Sequence, residues 1–338
     1  MQQKKAQYEI YSTMLDNQVK HGKVIFDALL PKRPTDSDVL EVMFRKAPQI
    51  IDGLNLHIFS DEYHWLRCGA NAIFPENSDV LDNLIKARFQ MDAVDGFTLP
   101  FESFMMSIPQ GYKVDGLRIP SFIVSMFPYR KMNDLIISPF IKHARFPKPV
   151  NLHLDDGPED EIAISLCYKD PTSSTAYART LISASQVPSI LEAETSDELS
   201  ADLKIYQNYH GVEGLSEYDM KIQRIMLRLV AAIGIYNMAT DGKRLMPGLP
   251  GAQEPKLIGK APLRGLTNMT LENAFPPAKE GTHGTAESFY RTWFFRQLRD
   301  DRYYKGENAR YAKGTRYVFV SDTVVGKNVE PHTQRFAG

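Results

Sequence analysis

The chain has 338 residues, enough for one large domain or two smaller ones. Apolar residues make up 43% and charged residues 24%, which excludes an intrinsically disordered, collagen-like or disulfide-scaffolded chain. Lys and Arg number 40 against 41 Asp and Glu, and a net charge of −1 excludes coating of nucleic acid by bulk charge, though not contact through a local basic face.

Tyr8, Tyr11, Leu15, Val19, Ile25 and Leu29 recur mostly at three- or four-residue steps. They predict an amphipathic helix over 3–30, ended by Pro31 and Pro34. Asp36 or Ser37 caps a second helix over 39–46, broken at Pro48. The apolar stretch 50–66 continues as helix, with Gly53 as its weak point. Ser78 caps a further helix over 79–89, acidic at its start and basic at its end through Lys86 and Arg88. Residues 1–95 are therefore expected to form a helical N-terminal region, followed by an α+β region over 96–338 or continuous with it.

The pattern then changes. Segments 104–108, 119–127, 150–154 and 161–168 are short, apolar and bounded by Pro and Gly, which predicts a central antiparallel sheet. Ile162, Ile164, Leu166 and Tyr168 fall on one face of the last strand. Ala163, Ser165 and Cys167 fall on the other, expected to be polar or lightly covered. Residues 186–215 are acidic and polar, a boundary or surface excursion. A long helix follows over 217–239, started by Ser216 with Asp219 three residues on. Its broad apolar face, Ile222 to Tyr236, places it in the core. Residues 242–284 are rich in Gly and Pro and read as an extended surface connection. The fold class expected is α+β, ending in a C-terminal helix/strand segment.

Cys68 and Cys167 form no CxxC pair, so neither a thioredoxin-like motif nor a zinc ribbon is indicated. The N-terminal Met-Gln-Gln-Lys-Lys run is followed by Tyr8, Glu9 and Asp16, so no secretory signal is expected. No stretch approaches about 18 apolar residues; the nearest, 225–236, is interrupted by Arg228. The expected setting is a reducing cytoplasm without membrane insertion.

Residues 289–316 carry the strongest signal. Arg291, Arg296, Arg299, Arg302, Lys305, Arg310, Lys313 and Arg316 outweigh Asp300, Asp301 and Glu307. Phe289, Tyr290, Trp293, Phe294, Phe295, Tyr303, Tyr304 and Tyr311 are interleaved with them. Cations neutralise phosphates, and rings or guanidinium planes stack on unpaired bases. The same residue types also anchor protein interfaces. The structural alternative is a terminal helix burying Trp293, Phe294 and Leu298, with the arginines solvated opposite.

Catalytic signals are weaker. His57 and His64 lie seven apart, with Glu62 between them, which is not the usual four-residue spacing of helical metal ligands. His153 and Asp155 share one side of a strand, with His143 upstream, and lack a third partner. Asp155, Asp156, Glu159, Asp160 and Glu161, together with Asp202 and Lys204, vaguely match the carboxylates and lysine of a metal-dependent nuclease. So short a pattern arises by chance in chains of this length, and a solvated turn is the preferred reading. Gly259-Lys260 lacks the earlier glycine of a phosphate-binding loop, and no nucleophile elbow or dinucleotide turn is present. No catalytic residue, metal set or cofactor is assigned.

Three features occur in order: Leu99-Pro100-Phe101-Glu102-Ser103-Phe104 running on to Pro109, the apolar helix 225–236, and the tail Phe289-Tyr-Arg-Thr-Trp-Phe-Phe-Arg296 followed by Gly306, Gly314 and an apolar strand at 316–320. Together they resemble a group of phage- and plasmid-borne proteins that includes a type V anti-CRISPR protein. The resemblance spans 60–330 by order of features. It implies a non-catalytic binding protein of a bacterial host cytoplasm, acting on a nascent effector-nuclease segment and its messenger RNA. The tail departs from the group's His-x-Arg-x-x-His-Trp element, keeping Arg291, Trp293 and Arg296 without either histidine. The expected function is therefore inhibition of host defence or regulation of a host gene through a host protein, nascent peptide, RNA or both. The alternatives are a metal-dependent nuclease and a virion- or particle-associated structural protein. The expected contact residues are Arg291, Trp293, Arg296, Arg299, Arg302, Tyr303, Tyr304, Lys305, Arg310 and Arg316.

Overall fold

A computed structural model describes residues 6–14, 28, 31–32, 42, 56–90, 96–128, 161–171, 176–192, 206–210, 217–251, 254–262, 265–274, 288–291, 294–320 and 323–326. The chain is α+β. Its described strands are β1 (Gln7–Glu9), β2 (Asn71–Pro75), β3 (Arg88–Gln90), β4 (Ser103–Met106), β5 (Ile108–Pro109), β6 (Lys113–Val114), β7 (Leu117–Arg118), β8 (Phe122–Pro128) and β9 (Ile162–Lys169). They continue as β10 (Tyr177–Ser183), β11 (Tyr206–His210), β12 (Leu245–Pro247), β13 (Lys256–Ile258), β14 (Thr267–Leu271), β15 (Ser288–Arg291), β16 (Phe294–Leu298), β17 (Arg316–Val320) and β18 (Thr323–Gly326). The α-helices are α1 (Leu56–Arg67), α2 (Ser78–Lys86), α3 (Val187–Glu192) and α4 (Glu217–Ala239).

Eight strands form the main sheet in the order β11-β10-β9-β8-β4-β2-β14-β12. From β11 to β4 the neighbours are antiparallel. The β4-β2 and β2-β14 pairs are parallel. The expected antiparallel sheet is thus extended by a parallel segment. Strands from either side of residue 95 share it, because β2 lies between β4 and β14.

Both faces of the sheet are covered. Ile164, Leu166 and Tyr168 of β9 join Phe104, Phe122 and Val124 beneath α4, in a core that also holds the buried side of α2. Cys167 lies on the opposite face, in a second core with Ile58, Phe59 and Trp65 of α1 and Tyr8 and Tyr11 from the N-terminal segment. The face expected to be lightly covered is therefore sealed by α1.

Helix α4 is apolar nearly all round because it is enclosed on two sides. One side faces the main sheet, where Gln223 Nε2 donates to Tyr168 Oη at 3.1 Å. The other faces the small sheet β17-β16-β3, where Tyr236 and Phe295 meet edge to face at 6.2 Å. Gly234 lets the segment at 97–98 approach the helix closely. A Cβ there would meet the Phe97 ring at 2.6 Å and the Thr98 carbonyl at 3.0 Å.

Several elements differ from the sequence expectation. Residues 7–9, read as helix, are a strand that pairs parallel with β13 and antiparallel with β5. Helix α2 ends at Lys86, and its cap is Asn77, whose Oδ1 accepts from Val80 N at 3.2 Å. The polar stretch 186–215 contributes α3, with Val187, Ile190 and Leu191 buried, and the sheet-edge strand β11. The surface connection at 242–284 holds β12, β13 and β14, the last lying inside the main sheet. The segment 289–298 forms β15 and β16 instead of a terminal helix, while Phe294 and Leu298 are buried as that alternative expects. Long-range pairing overrides local periodicity in each case. The readings at 15–27, at 39–46 apart from Val42, at 150–154 and at Ser216 lie outside the described residues.

Candidate binding surface and a cluster of donor side chains

Strand β16 is anchored by two adjacent rings. Phe295 stacks on Phe89 at 5.3 Å and is buried against α4. Phe294 is buried as well, and the Arg296 guanidinium carbon lies 5.3 Å from its ring centre while the Arg296 side chain is exposed. After Leu298 the chain leaves the sheet through two short 3-10 turns, Asp301–Tyr304 and Gly306–Arg310, and returns as β17.

Arg-Tyr pairs at 302–303 and 310–311 lie in or at the end of these turns, and a third, at 316–317, opens β17. Arg302 Cζ lies 4.7 Å from the centre of the Tyr303 ring, and its Nη2 donates to Tyr303 Oη at 2.7 Å. Arg310 repeats the arrangement on Tyr311, at 4.9 Å and 2.8 Å. Arg316 also faces Tyr311, at 5.6 Å, and its Nη1 donates to the Tyr303 carbonyl at 2.8 Å. Tyr304 Oη accepts from Gly314 N at 2.8 Å and from Arg316 N at 3.3 Å, closing the lobe. Gly306 and Gly314 have φ of +62° and +85°, which lets the chain reverse within it.

Lys313 Nζ pairs with Asp301 at 2.7 Å, holding that carboxyl below its usual range through a hydrogen bond and charge. Arg302 also lies 3.7 Å from Asp300. Arg296, Arg299, Arg302, Lys305 and Arg310 are exposed, while Tyr303, Tyr304, Tyr311 and Arg316 are half-buried. Arg299 Nη2 donates to Gln297 Oε1 at 3.2 Å. The backbone of Arg291 lies in β15, its side chain and all of Trp293 lie outside the described residues. Most of the expected contact residues thus fall on one lobe, where Tyr303 and Tyr311 lie under guanidinium groups, whereas Phe294, Phe295 and Leu298 beside it are buried.

Of the acidic nuclease-like set, only Glu161 falls among the described residues. Glu161 is exposed, while His143, His153, Asp155, Asp156, Glu159, Asp160, Asp202 and Lys204 lie outside them. His57 is buried on α1. Glu62 is buried too, accepting from Tyr11 Oη at 2.7 Å and from Met14 N at 2.6 Å, which ties the N-terminal segment to α1.

His64 is placed differently. Its Nε2 lies 3.6 Å from Cys68 Sγ and 3.4 Å from Glu102 Oε1. Among the described residues, these three donors form a group whose ligand atoms all lie within 4.8 Å of one another. Sequence reasoning paired His64 with His57 and set Cys68 aside for lack of a CxxC motif. The four-residue step from His64 to Cys68 was the available signal.

Comparison with protein-family models, with curated proteins and with solved structures finds no match. Among the described residues, no helix is long and apolar enough to cross a membrane.

Proposed function

We propose that the chain is a phage- or plasmid-encoded binding protein that counters a host defence or regulates a host gene. In this reading it is non-catalytic, and its arginine–tyrosine lobe contacts single-stranded RNA. The observation that carries the RNA contact is the pair of stacks in which an exposed guanidinium covers a half-buried ring, Arg302 on Tyr303 and Arg310 on Tyr311. Each offers a base a flat cationic surface and a phosphate a hydrogen-bonding fork. Lys305 lies between them in sequence and is exposed, adding charge to the same turn. The order of sequence features shared with the anti-CRISPR-containing group supports the host-defence part of the reading.

The test is fluorescence anisotropy with an unstructured oligoribonucleotide at two salt concentrations. Arg302→Gln with Arg310→Gln is expected to weaken binding by about tenfold or more and to flatten its salt dependence, without moving the thermal midpoint. Equal affinity in the double variant rejects the lobe as the contact. Capture of an extended peptide but not RNA would assign the same lobe to a protein partner.

A further inference from the structure

We propose that His64, Cys68 and Glu102 bind a zinc ion, with the fourth coordination position open to solvent. The three side chains come from well-fixed backbone. His64 is in the last turn of α1, and Cys68 N donates to the His64 carbonyl at 2.9 Å, so the helical register continues to the cysteine. Residues four apart on a helix face the same way. Glu102 immediately precedes β4, and its carbonyl accepts from Met126 N of β8 at 2.8 Å. The imidazole is further held by the edge-on Phe127 ring at 5.9 Å.

The spacings fit a cation. In tetrahedral zinc coordination, bonds of about 2.0 Å to N or O and about 2.3 Å to S separate N from S by about 3.5 Å and N from O by about 3.3 Å. The observed separations from His64 Nε2 are 3.6 Å to sulfur and 3.4 Å to oxygen. The convergence also argues against a nucleophile–base–orienter triad. Such a triad places the cysteine on one imidazole nitrogen and the carboxylate on the other. Here both face Nε2, and the sulfur and the carboxylate oxygen lie within 4.8 Å of each other.

Charge and softness point the same way. A thiolate and a carboxylate together neutralise a divalent ion, with the imidazole neutral. A mixed sulfur, nitrogen and oxygen set selects zinc over magnesium or calcium, which take oxygen ligands. The His64 and Glu102 side chains keep 15% and 43% of their exposure, which leaves an entry route and room for a water. Binding releases the Cys68 thiol proton to solvent, so affinity rises with pH.

The full-length protein, stripped by a chelator, is titrated with cobalt(II) alone as the optical probe and then with zinc. The expected result is a thiolate-to-cobalt charge-transfer band with the visible bands of four-coordinate cobalt, at one ion per chain, displaced by zinc. Cys68→Ser and His64→Ala should abolish the band, and Glu102→Gln should weaken binding by more than about tenfold. Metal-free melting curves of the variants are compared with that of the metal-free parent. A second readout needs no variant: zinc should protect Cys68 from iodoacetamide, mapped by mass spectrometry. Absence of the band, its survival in Cys68→Ser, or equal alkylation with and without zinc would each overturn the site.

Discussion

Arg179 Nε donates to Asp61 Oδ2 at 2.8 Å, and neither side chain is more than 2% exposed. The same carboxylate oxygen accepts from Ser165 Oγ and from Cys167 Sγ. Helix α1 is thereby pinned to β9 and β10 by a charge pair buried between helix and sheet. Burial first, and the Asp61 charge next, push the Cys167 thiol well above its ordinary range, so it remains a donor. Removing one member strands the other charge in a dry site. Arg179→Met should cost about 3–5 kcal/mol in urea unfolding. The double variant Asp61→Leu with Arg179→Met should lose less than Arg179→Met alone. A double loss equal to the sum of the singles would show that the pair is not energetically coupled.

Arg228 interrupts the apolar face of α4 for a reason found at its tip. Its Nε and Nη2 donate to the carbonyls of Ile85 and Ala87, at 2.8 Å and 3.0 Å. Its Nη1 donates to the carbonyls of Ile190 and Leu191, at 3.2 Å and 3.1 Å. One guanidinium thus serves the C-terminal ends of α2 and α3, where helix carbonyls lack intrahelical partners and the dipole favours a cation. Burial lowers its pKa, yet guanidinium remains charged at neutral pH. Arg228→Met should cost about 2–4 kcal/mol, through several lost charge-assisted hydrogen bonds. Arg228→Lys should recover only part of that, because an ammonium cannot span the same fork. Chemical denaturation of both variants checks the order, and an equal loss in the two would rule out the fork geometry as the cause.

Two buried tyrosines set an alkaline limit. Burial, with the Glu76 carboxylate adding to it, pushes the Tyr8 hydroxyl from 10.0 up to about 12. Burial does the same for Tyr236, also to about 12. The folded chain therefore keeps these protons where the unfolded chain has lost them. Their contribution to stability is whole below about pH 10 and disappears as pH rises from there to about 12. Urea midpoints should be insensitive to these groups up to about pH 10 and fall above it. Tyr8→Phe with Tyr236→Phe should remove part of that fall, the rest coming from Tyr11 and Tyr112, whose hydroxyls burial also pushes up. It should also cost about 1 kcal/mol per hydroxyl at neutral pH, since Tyr8 Oη donates to the Pro75 carbonyl and Tyr236 Oη to that of Glu272. An equally steep fall in the double variant would place the alkaline transition on other groups.

The arginine and tyrosine positions of the lobe were legible in the sequence because charge and ring content are visible residue by residue. Their arrangement was not: the rings of β16 turn inward while those of the 3-10 turns stack under cations, a split that depends on pairing with β3 and β17. The donor trio was half legible, since one helical turn links His64 to Cys68, but Glu102 arrives from the approach to another strand.

Composition and periodicity alone determined that this is an α+β chain built on the apolar helix α4, and they located β8 and β9 to within a few residues. Those elements carry their signal in neighbouring residues, where turn residues and hydrophobic spacing suffice. Tertiary structure decided the rest: β1 as a strand, β14 inside the main sheet, Arg228 as a shared cap and Asp61 opposite Arg179. Each of these depends on partners distant in the chain, and a backbone hydrogen bond or a buried charge is satisfied by whatever group the fold brings near, which local sequence does not encode.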